Sequence, residues 1–194
     1  MSKEDYEAKN MPKMLWKHRE LDNVSFRYAV LDDAVIRGCR FVHCDFTGAF
    51  LRGSVMEESM FVGCDWTRAS FFGASLLNLK MIGGVFDEAD LRGVIIRGGD
   101  WTASRLRYQK LRKQNFSKMH LADADFYGSD LQEVDFRDAD LTRANIAQAR
   151  LSHADFRGAE VEGIDWSAVA LQSIIVDSSQ TIVIVRALGA KVRD

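Results

Sequence analysis

The most regular feature of this chain is an apolar residue at every fifth position. From Phe26 to Val176, each fifth residue is Phe, Leu, Ile, Met, Trp or Val, without a shift of frame. An α-helix would scatter such a set around its axis, and a straight strand would send successive members to opposite faces. All of them can be buried together only if the chain turns once per repeat, so four repeats close a square coil of about 20 residues.

The positions around each apolar centre agree with this coil. Two residues before the centre the side chain is mostly small, as at Ala34 and Ala139, which suits a narrow interior. Two residues after the centre glycine recurs, as at Gly48 and Gly158, where it eases a corner. The sequence therefore predicts an all-β, quadrilateral β-helix over residues 24–178, with coils stacked about 4.8 Å apart through parallel ladders.

An open β-helix exposes its core and its strand edges at both ends, so we expect both ends to be covered. Residues 1–23 lie outside the predicted repeat and are expected to form an N-terminal cap. The apolar side chains available for this cap are Met14, Leu15, Trp16 and Leu21.

The end of the chain, residues 179–194, predicts a short helix and a dimerisation tail. Asp177 and Gln180 have the spacing of a capping box, and Gly189 is a typical helix stop. Residues 190–192 predict a short strand. The helix is apolar on nearly all sides, so the side that does not cover the last coil needs a partner, which predicts a homodimer. The expected interface residues are Ile182, Val183, Ile184, Val185, Leu188 and Val192.

One stretch, residues 104–119, departs from the pattern. It keeps the apolar centres but places Gln109, Gln114 and Met119 where small residues are expected. A buried glutamine without partners is costly, so we expect this coil to be distorted or bulged outward. Because the stretch is also rich in Arg and Lys, two interpretations stay open: a basic contact site or a tolerated irregular coil.

Charge is distributed unevenly, although the net charge is only −2. Residues 121–165 carry eleven acids against four bases, whereas residues 36–118 carry thirteen bases against eight acids. This asymmetry predicts recognition guided by charge.

Motifs for catalysis or ligand binding are missing from the sequence. The four histidines are scattered without metal-ligand spacing, and there is no nucleophile elbow or phosphate loop. The basic stretch lacks the interleaved aromatic residues typical of single-strand binding. We therefore expect no enzyme activity, no cofactor, no metal and no direct contact with nucleic acid.

The hydropathy pattern bears on the compartment. No segment reaches the roughly 18 apolar residues of a membrane span, and the charged start is unlike a signal peptide. We therefore expect a cytoplasmic protein without membrane contact, in which Cys39, Cys44 and Cys64 are free thiols. Cys44 and Cys64 lie one coil apart on one face, so a disulfide is the alternative to a stacked pair of reduced thiols.

Several repeats match a known motif. Ala89-Asp90-Leu91, Ala139-Asp140-Leu141 and Ala154-Asp155-Phe156 fit the A(D/N)(L/F)XX signature of the pentapeptide-repeat family. The chain resembles this family over about residues 24–178. The resemblance implies that the quadrilateral coil is right-handed.

The C-terminal segment, residues 176–192, is similar to that of the topoisomerase-interacting members of the family. These are the quinolone-resistance Qnr proteins, the mycobacterial fluoroquinolone-resistance protein, and the albicidin and microcin B17 immunity proteins. Their shared ending is V/L-D-x-x-Q-A…L-G-x-x-V, in which Thr181 here replaces the usual alanine. The resemblance implies a DNA-mimicking protein that binds DNA gyrase or topoisomerase IV and modulates it or protects it from quinolones or peptide antibiotics.

On this interpretation the partner-binding surface consists of outward-facing acids that precede apolar centres. They are Asp125, Asp130, Asp135, Asp140, Asp155, Glu160 and Asp165. The alternative use of such acids is to cap their own turns. A net charge of −2 is small for a DNA mimic, and the uninterrupted frame leaves no place for the projecting loops of the Qnr proteins. The alternative function is a general protein-interaction scaffold with an unknown partner.

Overall fold

The computed structural model describes residues 5–192, which divide into two compact units between Arg105 and Leu106. Each unit is a coil that advances by one turn every twenty residues, because parallel bridges join residues twenty apart. In unit 1 one line of bridges runs from Asp5 through Ser25, Asp45, Asp65 and Val85 to Arg105. This stacking confirms the predicted parallel β-solenoid.

The strands of unit 1 are short because each side of the square holds only a few extended residues. They are β1 Leu15–Lys17, β2 Glu20–Asp22, β3 Val35–Arg37, β4 Arg40–Val42, β5 Val55–Glu57, β6 Met60–Val62, β7 Ser75–Lys80 and β8 Ile95–Asp100. Strands on one side pair in parallel and in register, so Trp16 lies beside Ile36 and Phe41 beside Phe61. The apolar centres therefore stack in columns inside the coil.

Aromatic side chains form much of the core of unit 1. Phe41 and Phe61 are fully buried and stack with their ring centroids 4.7 Å apart. Phe61 also meets Trp66 edge-on at 5.2 Å. These contacts repeat from coil to coil because the twenty-residue period places like side chains above one another.

Residues 5–23 form the first coil of unit 1 and are not a separate cap. Strands β1 and β2 pair with β3 and β4, and Trp16 and Leu21 are buried as core centres, whereas Leu15 is exposed. The apolar frame continues backward through Met11 and Tyr6. The expectation of a cap was wrong because Met14 and Arg19 stand where later coils have small residues, which hides the repeat.

The cysteines of unit 1 are buried free thiols. The Cys44 sulfur donates to the Leu21 carbonyl at 3.7 Å, and the Cys64 sulfur donates to the Phe41 carbonyl at 3.8 Å. The neighbouring Cys44 side chain and burial raise the pKa of Cys64, so this thiol stays protonated.

The corners of the coil lie in the left-handed backbone region. At several corners a side chain of one coil lies over a glycine twenty residues later. At Gly48 an added Cβ would lie 2.6 Å from the Tyr28 ring, and at Gly63 it would lie 2.8 Å from the His43 ring. Glycine at these corners therefore makes room for a neighbouring side chain in addition to adopting a positive φ.

This packing gives a testable prediction for Gly48→Ala. Gly48 and Gly73 share a φ of +67°, but nothing lies within 4 Å of an alanine Cβ at Gly73. Gly48→Ala should therefore destabilise the protein by about 1 kcal/mol more than Gly73→Ala in urea denaturation. Adding Tyr28→Ser should remove that excess, and a double-mutant cycle with no coupling energy would contradict the explanation.

The coil differs from the others where β7 pairs with β8 in the next coil. Leu79 is fully buried where most coils carry a small residue, and Gly99 pairs with it in register. A Cβ on Gly99 would lie 2.1 Å from the Leu79 carbonyl oxygen, and its φ is +101°. The large residue in one coil is thus accommodated by a glycine in the next.

Unit 2, described over residues 106–192, is stacked in the same manner within itself, through isolated bridges such as Lys110↔Asp130 and Asp135↔Asp155. Residues 104–119 form regular turns and do not bulge. Gln109 and Met119 are buried, and the backbone N–H of Gln109 donates to the Ser129 hydroxyl at 3.0 Å. The expected distortion was wrong because the interior accommodates these longer side chains.

The last element is α1, Ser178–Ala187, whose start agrees with the sequence prediction. The Asp177 carboxylate accepts from the Ser179 and Gln180 amides, and the Gln180 side chain accepts from the Asp177 amide. Gly189 follows the helix with a φ of +90°. Residues 190–192 are not a strand, because no neighbouring strand pairs with them in the part of the chain that is described.

Candidate functional site

The acids predicted to form the partner surface first serve the fold. Six of the seven accept a hydrogen bond from the backbone amide two residues later, over 3.0 to 3.3 Å. They are Asp125, Asp130, Asp135, Asp140, Asp155 and Asp165. This geometry is the Asx turn, in which a short carboxylate holds its own corner.

Arginine pairs with four of these acids. Arg137 and Arg157 each make a two-pronged contact with the aspartate two residues before, at 2.7 to 2.9 Å and 2.6 to 2.9 Å respectively. Arg150 reaches Asp130 at 3.3 Å, and Arg107 lies 3.6 Å from Asp125. These carboxylates are therefore largely neutralised within the protein.

The arginines also change the titration of their partners. Hydrogen bonds from Arg137 and Arg157 hold the pKa of Asp135 and Asp155 below the ordinary value of an aspartate. Because both acids stay charged and paired, their main effect is on local structure, and they offer little free negative potential.

A different set of acids is free of such pairing. Asp140 and Glu160 are bridge partners on one side of the coil, and Glu162 lies two residues further along that side. Within residues 5–192 no Arg or Lys forms an ion pair with any of the three. Arg143 is bound to Asp123 at 2.7 Å, and the charge of Asp140 adds to that of Asp123 in raising the pKa of Arg143. We call Asp140, Glu160 and Glu162 the carboxylate strip.

The carboxylate strip borders a groove of about 230 Å³ between the coil and α1. Glu160 and Glu162 line it from the coil, and Ser179 and Val183 line it from the helix. Gln180 is buried beneath and fixes the helix, since its amide donates to the Ala159 carbonyl at 3.1 Å. The strip and the helix therefore form one continuous surface of unit 2.

One predicted site residue, Asp165, belongs neither to the arginine-paired acids nor to the carboxylate strip. Asp165 caps the short 3₁₀ turn Trp166–Ala168 and has no arginine partner within the described chain. The sequence interpretation omitted Glu162 because it follows an apolar centre and does not precede one. The signal for the neutralised acids was present as Asp-x-Arg at 135–137 and 155–157.

Only some of the residues predicted for the dimer interface are exposed to solvent. Ile184 is buried against the coil, whereas Ile182 and Leu188 are 40% and 48% exposed. Val183, Val185 and Val192 are half-buried. Ile175, just before the helix, adds a further exposed apolar side chain.

Four bases of the predicted basic stretch, Arg105, Arg107, Arg112 and Lys113, form ion pairs within the protein. Arg112 and Lys113 both contact Glu133, and Arg107 lies over the Tyr127 ring at 4.7 Å. No group of three or more His, Cys, Asp or Glu within residues 5–192 is arranged to hold a metal ion. None of the helices in that range has the length and hydrophobicity needed to cross a membrane.

Asp177 gives a testable prediction at the start of α1. The Ser179 hydroxyl and the Gly158 amide are the main donors that lower the pKa of Asp177 to about 2. Its stabilising effect is thus complete above the ordinary pKa of 3.8 and is lost as pH falls through about 2. In the Asp177→Asn variant an uncharged asparagine still caps α1. The thermal midpoint of this variant should therefore fall less than that of the wild-type protein between pH 5 and pH 2. An equal pH dependence of the two proteins would contradict this assignment.

A four-sided solenoid that is filled by stacked side chains and carries its polar groups outside belongs to a structural or interaction class of proteins. The pentapeptide-repeat profile matches residues 20–58 and 120–158, with eight copies. Over these residues the chain is similar to the pentapeptide-repeat family.

Solved structures of QnrB1, described as a plasmid-mediated fluoroquinolone resistance protein, share this fold. One trypsin-treated variant is 21% identical, with a TM-score of 0.71 over 97% of each chain. A second has 21% identity and a TM-score of 0.67, over 98% of this chain and 100% of the other. Full-length QnrB1 has 16% identity and a TM-score of 0.52, over 96% of this chain and 100% of its own. No curated protein sequence matches significantly.

Proposed function

We propose that this protein binds a type II topoisomerase, DNA gyrase or topoisomerase IV, in the cytoplasm, and modulates it or protects it from quinolones or peptide antibiotics. The main support is the carboxylate strip, whose three carboxylates form no ion pair with an arginine of the described chain. The similarity of fold to a fluoroquinolone resistance protein directs the proposal to this partner.

The strip repeats negative charge from coil to coil. Neighbouring coils are about 4.8 Å apart, so Asp140 and Glu160 repeat at a spacing of the same order as the roughly 3.4 Å between charges along one DNA strand. A protein surface that has to neutralise phosphates would attract this strip in the same way. The proposal therefore assigns the contact to Asp140, Glu160 and Glu162 in preference to the arginine-paired acids.

We further propose a homodimer through α1. Ile175, Ile182 and Leu188 are exposed on or beside the helix that borders the strip, and an apolar surface of this kind favours a partner. A two-fold contact there would bring two carboxylate strips toward one centre. Sedimentation of wild type and of Ile182→Asp should give a dimer and a monomer, respectively.

The proposal is tested by titrating the purified protein into DNA supercoiling by gyrase, with and without a quinolone. Inhibition of supercoiling, or a lower yield of quinolone-trapped cleavage complexes, at micromolar or lower protein concentration supports it. Because the contact is electrostatic, the effect should weaken as salt rises. If folded, dimeric protein has no effect on gyrase or on topoisomerase IV, the proposal is wrong and a scaffold with another partner remains.

A further inference from the structure

One corner of unit 1 differs from those where a side chain shields the backbone. An added Cβ would meet nothing within 4 Å at Gly73, and at Gly93 only backbone atoms of Gly73 at 3.7 Å or more. At Gly98, by contrast, the Asn78 side chain occupies that space. Two successive coils therefore expose bare backbone at the same corner, which allows another main chain to approach closely.

Exposed apolar side chains surround this bare corner. Phe72 precedes Gly73 and is 53% exposed, and Ile95 follows Gly93 by two residues and is 46% exposed. Phe50 is 39% exposed and lies one coil earlier. It pairs in register with Ser70, which lies two residues before Phe72. We call Phe50, Phe72, Gly73, Gly93 and Ile95 the glycine ridge. An apolar patch rimmed by polar groups is typical of a protein-binding surface.

Two arginines border the glycine ridge, and each is paired with an aspartate. The guanidinium carbons of Arg52 and Arg92 lie 5.3 and 5.9 Å from the ring centroids of Phe50 and Phe72. Arg92 donates to Asp90 through Nε and one terminal nitrogen, and Arg52 donates to Asp32 in the same way. In the described chain the second terminal nitrogen, Nη1, of each arginine has no hydrogen-bond partner. Each ring therefore has cationic donors beside it that a carboxylate can accept from.

We propose that the glycine ridge binds an extended, apolar and acidic segment of the partner protein. The bare backbone at Gly73 and Gly93 fits an approaching main chain, the two rings fit apolar side chains, and the free N–H groups fit carboxylates. This inference rests on the proposed function, because it takes the partner to be a type II topoisomerase. It assigns to unit 1 a second contact, which is separate from the carboxylate strip.

Two variants test the ridge in different ways. Phe72→Ser removes an apolar contact, and Gly73→Asn places a side chain over Gly93, as Asn78 already lies over Gly98. Asparagine tolerates the left-handed conformation, so this variant should fold. The matched control is Tyr28→Ser, which removes an equally exposed aromatic ring from another side of unit 1. Circular dichroism establishes that each variant is folded.

Binding to immobilised DNA gyrase and topoisomerase IV holoenzymes is measured by surface plasmon resonance. Each ridge variant should bind about tenfold more weakly than wild type, and Tyr28→Ser should stay within about twofold. On binding, backbone amides of residues 70–75 and 90–95 should gain protection from hydrogen exchange.

Three results would overturn the inference. If both ridge variants bind with wild-type affinity, the ridge is not a contact, and the proposed function is unaffected. If the wild-type protein binds neither enzyme, both the ridge contact and the proposed function are wrong. Binding of a single-stranded oligonucleotide that is lost in Phe72→Ser would reassign the ridge to nucleic acid, since exposed rings beside arginine also stack on bases.

Discussion

Replacing Glu160 and Glu162 together with lysine is expected to weaken binding to DNA gyrase by about 100-fold, or roughly tenfold for each reversed charge. Both side chains border the groove beside α1, and no arginine of the described chain pairs with them. Reversal therefore turns an attractive surface into a repulsive one without breaking an internal ion pair. The measurement is the dissociation constant from surface plasmon resonance, together with the concentration that halves supercoiling.

The control for this reversal is Glu20→Lys with Glu58→Lys. These two exposed acids lie in unit 1, and the double change alters the net charge by the same amount. If this control weakens binding as much as Glu160→Lys with Glu162→Lys, the effect comes from net charge and the strip is not the contact. Asp155→Lys is a poor substitute, because it breaks the contact with Arg157 and the turn that Asp155 holds.

Replacing Gly99 with alanine is expected to destabilise the protein by about 3 kcal/mol or more, through steric overlap and a strained φ together. The added carbon would lie 2.1 Å from the Leu79 carbonyl oxygen and 2.8 Å from its amide nitrogen. These are backbone atoms of β7 that are held by pairing with β8, so neither strand can move away without losing ladder hydrogen bonds. Urea denaturation followed by circular dichroism measures the free energy of unfolding.

Two neighbouring glycines provide the comparison. Gly73→Ala meets open space, and at Gly98 the added carbon meets the end of the Asn78 side chain, which can turn away. Both should cost clearly less than Gly99→Ala. Hydrogen exchange should show the loosening at β7 and β8 more than at β1 and β2, because contacts in a solenoid link neighbouring coils. Equal losses in the three variants would show that backbone conformation alone sets the cost.

The sequence predicted the coil because its pattern has a single physical solution. An apolar residue such as Phe61 recurs every five residues, and only a chain that turns once per repeat buries the whole set. The same pattern missed the first coil, because Met14 and Arg19 interrupt the small positions although the apolar frame continues to Tyr6. The capping box at Asp177 was predictable because it depends on neighbours three residues apart.

The candidate site was harder to predict, because the available charge of an acid depends on groups one coil away. Asp130 is paired by Arg150, twenty residues later, whereas Glu160 has no such partner in the described chain. From the sequence the two acids occupy equivalent positions before an apolar centre. Their difference in free charge arises only when the coils are stacked.

The sequence by itself determined that this protein is a four-sided solenoid with a helix at its end, since periodicity and capping act over short distances along the chain. Tertiary structure decided which surface is left for a partner. Stacking brings arginines of neighbouring coils onto Asp123, Asp125, Asp130 and Glu133, whereas no arginine of the described chain forms an ion pair with the carboxylate strip. It also leaves Gly73 and Gly93 bare, while side chains cover corners such as Gly48 and Gly63. Both outcomes depend on contacts between residues about twenty apart, which are set by the register of the coils and not by local pattern.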